Sequence, residues 1–172
     1  VKFDIVLENE ILSLYPLKIS HFEELYVIAS DKEIWEQHPQ NDRWKREVFE
    51  IYFNSALESK SAFLIVSKNN SEIIGCTRYY ELNEIEKSIA IGYTFLAKKF
   101  WGGFINSSLK KLMINYAFGF VDKIYFHVGA QNIRSQKAIE KLGALLVKKE
   151  VIPLLGKPDK INLIYCLNNT KI

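Results

Sequence analysis

Near residue 97 the apolar residues of this chain change period. Upstream, three short apolar runs, 62–66, 73–80 and 88–96, are separated by the polar turns Lys68-Asn69-Asn70-Ser71 and Asn83-Glu84-Ile85-Glu86. That is the pattern of an antiparallel meander. Downstream, Leu109, Leu112, Met113, Tyr116, Ala117 and Phe120 recur at helical spacing and give one helix a wide apolar face. The strand-like run Lys123-Ile124-Tyr125-Phe126-His127-Val128 comes next. A strand, a helix and a strand in succession form a right-handed crossover, so 88–96 and 123–128 are expected to lie parallel. The chain is therefore expected to be α+β, or mixed α/β, with helices packed on a sheet.

The flanks extend the same scheme. Residues 5–17 read as a strand, partly alternating over Ile11-Leu12-Ser13-Leu14-Tyr15-Pro16-Leu17. Ser20 and Glu23 have the spacing of a capping box, opening a helix to about Ala29. A second helix is expected from Trp44 to Leu57, with Trp44, Val48, Ile51, Tyr52 and Ser55 on one face. Between the two, 35–42 carries His38-Pro39 and reads as loop. Near the end, 132–142 is a short helix that Gly143 closes in the left-handed conformation. Strands 145–152 and 161–167 finish the chain around Pro153-Leu154-Leu155-Gly156-Lys157-Pro158. No repeat or linker divides the 172 residues, so a single domain over 1–172 is expected, long enough to bury a full core.

Twenty-three Lys and Arg against 20 Asp and Glu leave a net charge of +3. That is too small for the basic stripe of a nucleic-acid binder, though compatible with one local anion pocket. No run of about 18 apolar residues is present to span a bilayer, and Val1-Lys2-Phe3-Asp4-Ile5 contains no apolar signal stretch. The expectation is a cytoplasmic protein with neither a membrane nor a nucleic-acid partner. Cys76 and Cys166 sit in separate apolar runs and are expected as packed, reduced thiols. No His, Cys and carboxylate cluster has metal-ligand spacing, so no metal is expected.

Two segments join a strand end to a helix start. In Lys98-Lys99-Phe100-Trp101-Gly102-Gly103-Phe104-Ile105-Asn106-Ser107-Ser108, adjacent glycines permit close backbone approach to a ligand. The helix N-terminus behind them suits phosphate, and Asn106, Ser107 and Ser108 add side-chain donors. A tight turn with an ordinary cap reads the same way. In the second segment, Asn132-Ile133-Arg134-Ser135, Ala138, Ile139 and Leu142 form the buried stripe and leave Asn132, Arg134 and Ser135 at the helix mouth. Asn132 as a plain helix cap is the alternative.

Together these pieces resemble the GNAT superfamily of acyl-CoA-dependent N-acyltransferases, nearest the branch that acetylates N-terminal alanines of ribosomal proteins. The resemblance also covers Gly75-Cys76-Thr77-Arg78-Tyr79-Tyr80, Ile91-Gly92-Tyr93-Thr94-Phe95-Leu96, Tyr116-Ala117-Phe118 and Glu140-Lys141-Leu142-Gly143-Ala144. It implies a GNAT fold, a mostly antiparallel central sheet splayed in the middle with flanking helices. Acetyl-CoA, as cosubstrate, would lie in the V-shaped gap with its pantetheine paired to Phe95 and Leu96. Its pyrophosphate would sit on Trp101, Gly102, Gly103, Phe104, Ile105, Asn106 and Ser107. Asn132 would touch the pantetheine arm, and Ser135 would assist the departing thiolate. The implied activity is acetyl transfer to a primary amine, on a small molecule or a protein N-terminus, by direct attack. A homodimer is allowed. The alternative is a non-catalytic acyl-CoA-binding or regulatory module. Two departures favour it: Phe104 replaces a small residue of the family turn, and Ala90 stands where many relatives carry a Glu.

With that Glu absent, the base candidates are Glu81, Glu84, His38 and His127, or a chain of waters. Glu81 ends the strand that carries Arg78-Tyr79-Tyr80 and joins Ser135 as an expected catalytic residue. His127 alternates along a core strand and reads as structural. Cys76 has no His paired to it and reads as core. Trp35, Trp44, Phe53, Tyr79 and Tyr80 are either core or the wall of an acceptor pocket. Lys98, Lys99, Lys110 and Lys111 flank the Gly turn and either attract the CoA head or are simply solvated.

Overall fold

The expected crossover forms. In the computed structural model, which describes residues 1–154 and 156–170, β5 (Ser88–Leu96) leads through α3 (Ile105–Ala117) into β6 (Lys123–Gly129), and β5 and β6 are parallel. Upstream lie β1 (Leu7–Glu8), β2 (Leu12–Pro16), α1 (Phe22–Ala29), α2 (Arg46–Glu58), β3 (Ala62–Ser67) and β4 (Glu72–Asn83). Downstream are α4 (Ile133–Glu140), β7 (Leu145–Leu154) and β8 (Lys157–Asn168). The sheet runs β1-β2-β3-β4-β5-β6-β8-β7, and every pairing except β5–β6 is antiparallel. This is the mixed, mostly antiparallel open sheet that the resemblance implied, with the one parallel pairing that the period change implied.

Two features of β5 shape the site. Its pairing with β6 covers only Ser88↔Lys123, Ile89↔Ile124 and Ala90↔Tyr125; past Ala90 the strands part. On its other side Gly92 pairs with Arg78 and Phe95 with Cys76. Tyr93 and Thr94 therefore oppose Thr77 alone, which is a β-bulge. Tyr93 holds a left-handed φ of 50° there, a conformation that strains a residue with a Cβ.

Helices cover both faces. Leu109, Met113 and Ala117 of α3 pack with Leu14, Phe63, Ile65 and Phe126. On the other face Leu25 of α1 and Phe49, Tyr52 and Phe53 of α2 pack on Leu64, Cys76 and Phe95. α2 thus starts two residues later than expected and buries a different stripe. Phe49, Tyr52, Phe53 and Ala56 face inward, while Ile51 is 70% exposed, because the phenylalanine pair offers more apolar area to the sheet.

Other expectations need correction. Residues 5–17 form two strands, because Asn9 Oδ1 accepts the N–H groups of Ile11 and Leu12 at 3.0 and 2.9 Å and turns the chain. The Ser20 capping box is absent. A single 3-10 turn, Ile19–His21, leads into α1, and His21 Nδ1 accepts the Lys18 N–H at 3.1 Å. The apolar stripe ending at Phe120 overshoots α3, which stops at Ala117 and turns through Gly119. Gly143 does adopt the left-handed conformation after α4, at φ +88°. The closing strands run further than expected; Leu155 of the loop between them lies outside the described residues.

Candidate active site

Where β5 leaves β6, the sheet opens into a cleft of about 840 Å³. One wall is the β6-facing edge of β5 from Ile91 to Leu96. The other is β6 from Phe126 to Gly129 with the first turns of α4. Past Ala90 no strand pairs with β5 on this side, which leaves an edge for an extended ligand, although Tyr93 O already accepts the Tyr52 hydroxyl at 2.6 Å and Leu96 O accepts a side-chain N–H.

The Gly turn forms the lower rim. Gly102 is left-handed at φ +71°, and the space where its Cβ would stand is open. Trp101 is anchored by Nε1, which donates to Leu96 O at 3.0 Å. The Arg134 guanidinium stacks over the Trp101 ring at 3.8 Å and links the rim to α4. Trp101, Gly102, Gly103, Asn106 and Ser107 line the cleft, whereas Phe104 and Ile105 do not. Phe104 is 67% exposed, and Ile105 packs against the core. Ser107 Oγ donates to Phe104 O at 2.9 Å, and Ser108 Oγ accepts from Asn9 Nδ2 at 2.9 Å, away from the rim.

The four lysines separate. Lys98 pairs with Glu33 and Lys99 with Glu72, so these two are engaged at the surface. Lys110 and Lys111 line the cleft. Lys110 is only 7% exposed. Its Nζ donates to Thr94 Oγ1 at 2.9 Å, and that hydroxyl shares a hydrogen bond with Thr77 Oγ1 at 2.8 Å. Among the described residues no carboxylate pairs with Lys110, and burial pushes its ammonium down to about 8. Because the folded-state value lies below the unfolded one, charging Lys110 opposes folding below pH 8. That cost fades as pH rises toward the free-lysine value. A bound anion would remove it at neutral pH.

In the second motif Asn132 is buried and caps α4, its Oδ1 accepting the Ser135 N–H at 3.2 Å. Ser135 is half-buried and lines the cleft. Its hydroxyl has no hydrogen-bond partner among the described residues. Gln136 Nε2 ties the turn together by donating to Gly129 O and Ala130 O at 3.2 and 2.9 Å.

At the apex of the gap Tyr80 crosses from β4. A Cβ on Gly92 would stand 3.0 Å from its ring and 3.2 Å from its hydroxyl, so this glycine makes room for the tyrosine. Burial raises the Tyr80 phenol, which stays protonated and able to donate. Glu81, next along β4, takes a left-handed φ of 52° and brings Oε2 to 3.5 Å from His127 Nε2. His127 is not core. Ile124, Phe126 and Val128 turn inward, and His127, on the opposite face, lines the cleft beside Tyr80. A smaller cavity of about 460 Å³ adjoins this pair, with Glu86, Tyr125 and Glu150 in its wall. Glu86 accepts from Tyr125 at 2.7 Å and Lys123 at 3.2 Å, and Glu150 from Lys148 at 3.0 Å, so those carboxylates are engaged.

His38 also reaches the cleft. Burial first, then Arg43 and Arg134, push it down to about 4, so it is neutral at pH 7. Glu84 stays exposed in its turn. Trp35, Phe53 and Tyr79 are core, Trp44 is half-buried outside the cleft, and Tyr80 alone of that aromatic set meets the cleft. Cys76 is fully buried and pushed up to about 11 by burial. Both cysteines are free, and neither lines the cleft. Arg43 joins the cleft wall from an irregular turn, where no sequence pattern marks it. Among the described residues no cluster of His, Cys, Asp and Glu could hold a metal ion, and no helix is long and apolar enough to cross a membrane.

A parted strand edge, a helix N-terminus and an unpaired buried ammonium suit an extended ligand with phosphates at one end. Comparison with known proteins is consistent with that geometry. A family model described as an acetyltransferase (GNAT) domain matches residues 12–145. Among curated proteins, none matches the sequence. A GCN5-related N-acetyltransferase from Brucella melitensis has a TM-score of 0.83 at 16% identity, over 95% of this chain and 78% of that one. The spermidine N-acetyltransferase from Vibrio cholerae, solved in complex with CoA and spermine, has a TM-score of 0.72 at 18% identity, over 95% of this chain and 98% of that one. The ribosomal-protein-S5-alanine acetyltransferase from Vibrio fischeri has the same TM-score, 0.72, at 18% identity, over 98% of each chain. At these identities the likeness extends to the fold and singles out no branch, the ribosomal-protein one included.

Proposed function

Because the chain belongs to the GNAT acetyltransferase family, we propose that it transfers an acetyl group from acetyl-CoA to a primary amine within a ternary complex. The observation that carries this reading is the loss of β5–β6 pairing after Ala90. It leaves one strand edge open directly above a helix N-terminus. The reading keeps residues 1–172 as a single domain acting in the cytoplasm on a small amine or a protein N-terminus.

The pantetheine adds to β5 as an extra strand along Phe95 and Leu96. The pyrophosphate rests on the turn 101–107, where the N–H groups of α3 point outward. Lys110 and Lys111 supply positive charge. In the reaction, the lone pair of the neutral amine attacks the thioester carbonyl carbon. The carbonyl electrons move onto oxygen, where backbone N–H groups at the β5 bulge stabilise the oxyanion. The amine proton passes to Glu81, with His127 beside it. Collapse of the intermediate breaks the C–S bond, and the Ser135 hydroxyl donates to the departing thiolate. Asn132 holds the α4 turn that presents Ser135.

The non-catalytic reading draws on Phe104 and Ala90. Phe104 is displaced outward from the cleft, and Ala90 is buried at the last paired position of β5. Thiol release from acetyl-CoA, measured with a panel of primary amines and peptides, separates the two. The proposal expects release well above acetyl-CoA hydrolysis with at least one amine. Tight acetyl-CoA binding with no amine-dependent release would establish the binding module instead.

A further inference from the structure

Arg43 lines the cleft beside the β5 bulge. Its guanidinium carbon lies 5.0, 5.6 and 5.8 Å from the rings of Tyr52, Trp35 and Tyr93. Among the described residues it makes no hydrogen bond and no ion pair, and its Nε is buried without a partner. Against the same tyrosine sits a second cation. Arg78 is 5% exposed, and its guanidinium lies 3.5 Å from the Tyr93 ring centre. Its Nη1 donates to Ser55 Oγ at 3.1 Å, while its Nε also lacks a partner. No carboxylate pairs with either arginine among the described residues.

Two desolvated guanidinium groups about one ring, without an ion-paired anion among the described residues, form an incomplete arrangement. Aromatic faces return part of the lost hydration, but planar N–H donors left without acceptors remain costly. A carboxylate answers that deficit, since it accepts two parallel N–H bonds from one guanidinium. Charge around the cleft points the same way. Glu81 is the one carboxylate among its lining residues, against Arg43, Arg134 and several lysines. A polycation would find no row of acids to hold it there.

Resting on the proposed acetyl transfer, we propose that the acceptor is a primary amine that also bears a carboxylate, and that Arg43 receives that carboxylate. Tyr93 is the residue at which β5 bulges beside the parting of the sheet. A carboxylate on Arg43 therefore sets the amine of a small amino acid near the thioester. Arg78, 3.5 Å from the Tyr93 ring centre, adds to the positive potential there.

The test compares α-amino acids with their amides, and with spermidine, at saturating acetyl-CoA. The expected result is a kcat/KM for the preferred amino acid at least tenfold above that of its amide, about the worth of one charge-assisted hydrogen bond. Spermidine should be a poorer acceptor still. Arg43→Gln should bring amino acid and amide to within about threefold of each other while leaving the Kd for acetyl-CoA unchanged. Amides or spermidine used as well as amino acids by the parent would overturn the inference. So would an Arg43→Gln variant that loses acetyl-CoA affinity but keeps its acceptor preference. A binding arm covers the case in which no amine turns over: calorimetric titration of N-acetyl-amino acids and their amides into the CoA-saturated parent. Absent turnover alone defeats the proposed transfer. Equal binding of acid and amide defeats the assignment of Arg43.

Discussion

Replacing Gly75 by alanine is expected to destabilise the protein by about 3 kcal/mol and to weaken acetyl-CoA binding at the same time. A Cβ at this position would stand 2.0 Å from the Phe95 carbonyl oxygen, 3.0 Å from its carbon and 3.1 Å from Leu96 Cα. All three are backbone atoms, so no side chain can swing aside. Gly75 is paired on both flanks, with Ile65 of β3 and Leu96 of β5, so β4 cannot retreat. The yielding element is β5, just beyond its bulge and along the edge that faces the cleft. Overpacking of this kind costs roughly 1–3 kcal/mol and occasionally more, and a backbone clash belongs at the upper end. For a domain of this size that loss lowers the melting temperature by about 6–12 °C. Displacing Phe95 also disturbs the strand edge on which the pantetheine is proposed to lie, so the Kd for acetyl-CoA should rise in the fraction that remains folded. A melting temperature within 2 °C of the parent, measured by calorimetry, would show that the close approach is relieved without moving β5.

Ser135→Ala is expected to lower kcat by about 10²-fold, the low end for loss of a positioned proton donor. Acetyl-CoA affinity and melting temperature should stay nearly unchanged. The cap of α4 does not depend on the serine side chain: Asn132 Oδ1 accepts the backbone N–H of residue 135, and alanine keeps that N–H. The hydroxyl itself has no partner among the described residues and is free to donate into the cleft. Near the N-terminus of α4 the helix dipole also favours the negative charge that builds on sulfur. An interaction that strengthens only as the C–S bond breaks appears in kcat rather than in binding. Steady-state kinetics at saturating amine decide the matter, and a kcat within twofold of the parent would remove Ser135 from the chemistry.

Periodicity makes much of the framework legible. The switch from the 62–96 meander to the Leu109–Met113–Ala117 stripe foretells the one parallel pairing, and Gly143 marks the end of α4. The site is legible where it is built from backbone: the Gly102-Gly103 turn and the Asn132 cap both fall on the cleft. It is illegible where side-chain fate depends on distant partners. Lys98, Lys99 and Lys110 look alike in sequence, yet Glu33 and Glu72 claim the first two and Thr94 receives the third. The Tyr93 bulge arises only because β4 supplies one residue against two. His127 reads as structural in sequence although a contrary signal is present, since inward Ile124, Phe126 and Val128 put it on the other face. Arg43 carries no local pattern, and its lack of an ion-pair partner among the described residues becomes visible only once the chain has folded.

The central claim, that CoA occupies the gap between β5 and β6, is tested most directly by amide hydrogen exchange with and without CoA. Slowed exchange is predicted at 91–96, 101–107 and 132–135, with the outer strands β1 to β3 unaffected. Slowing confined to the neighbouring cavity around Glu86, Tyr125 and Glu150, or no slowing at 91–96, would contradict it.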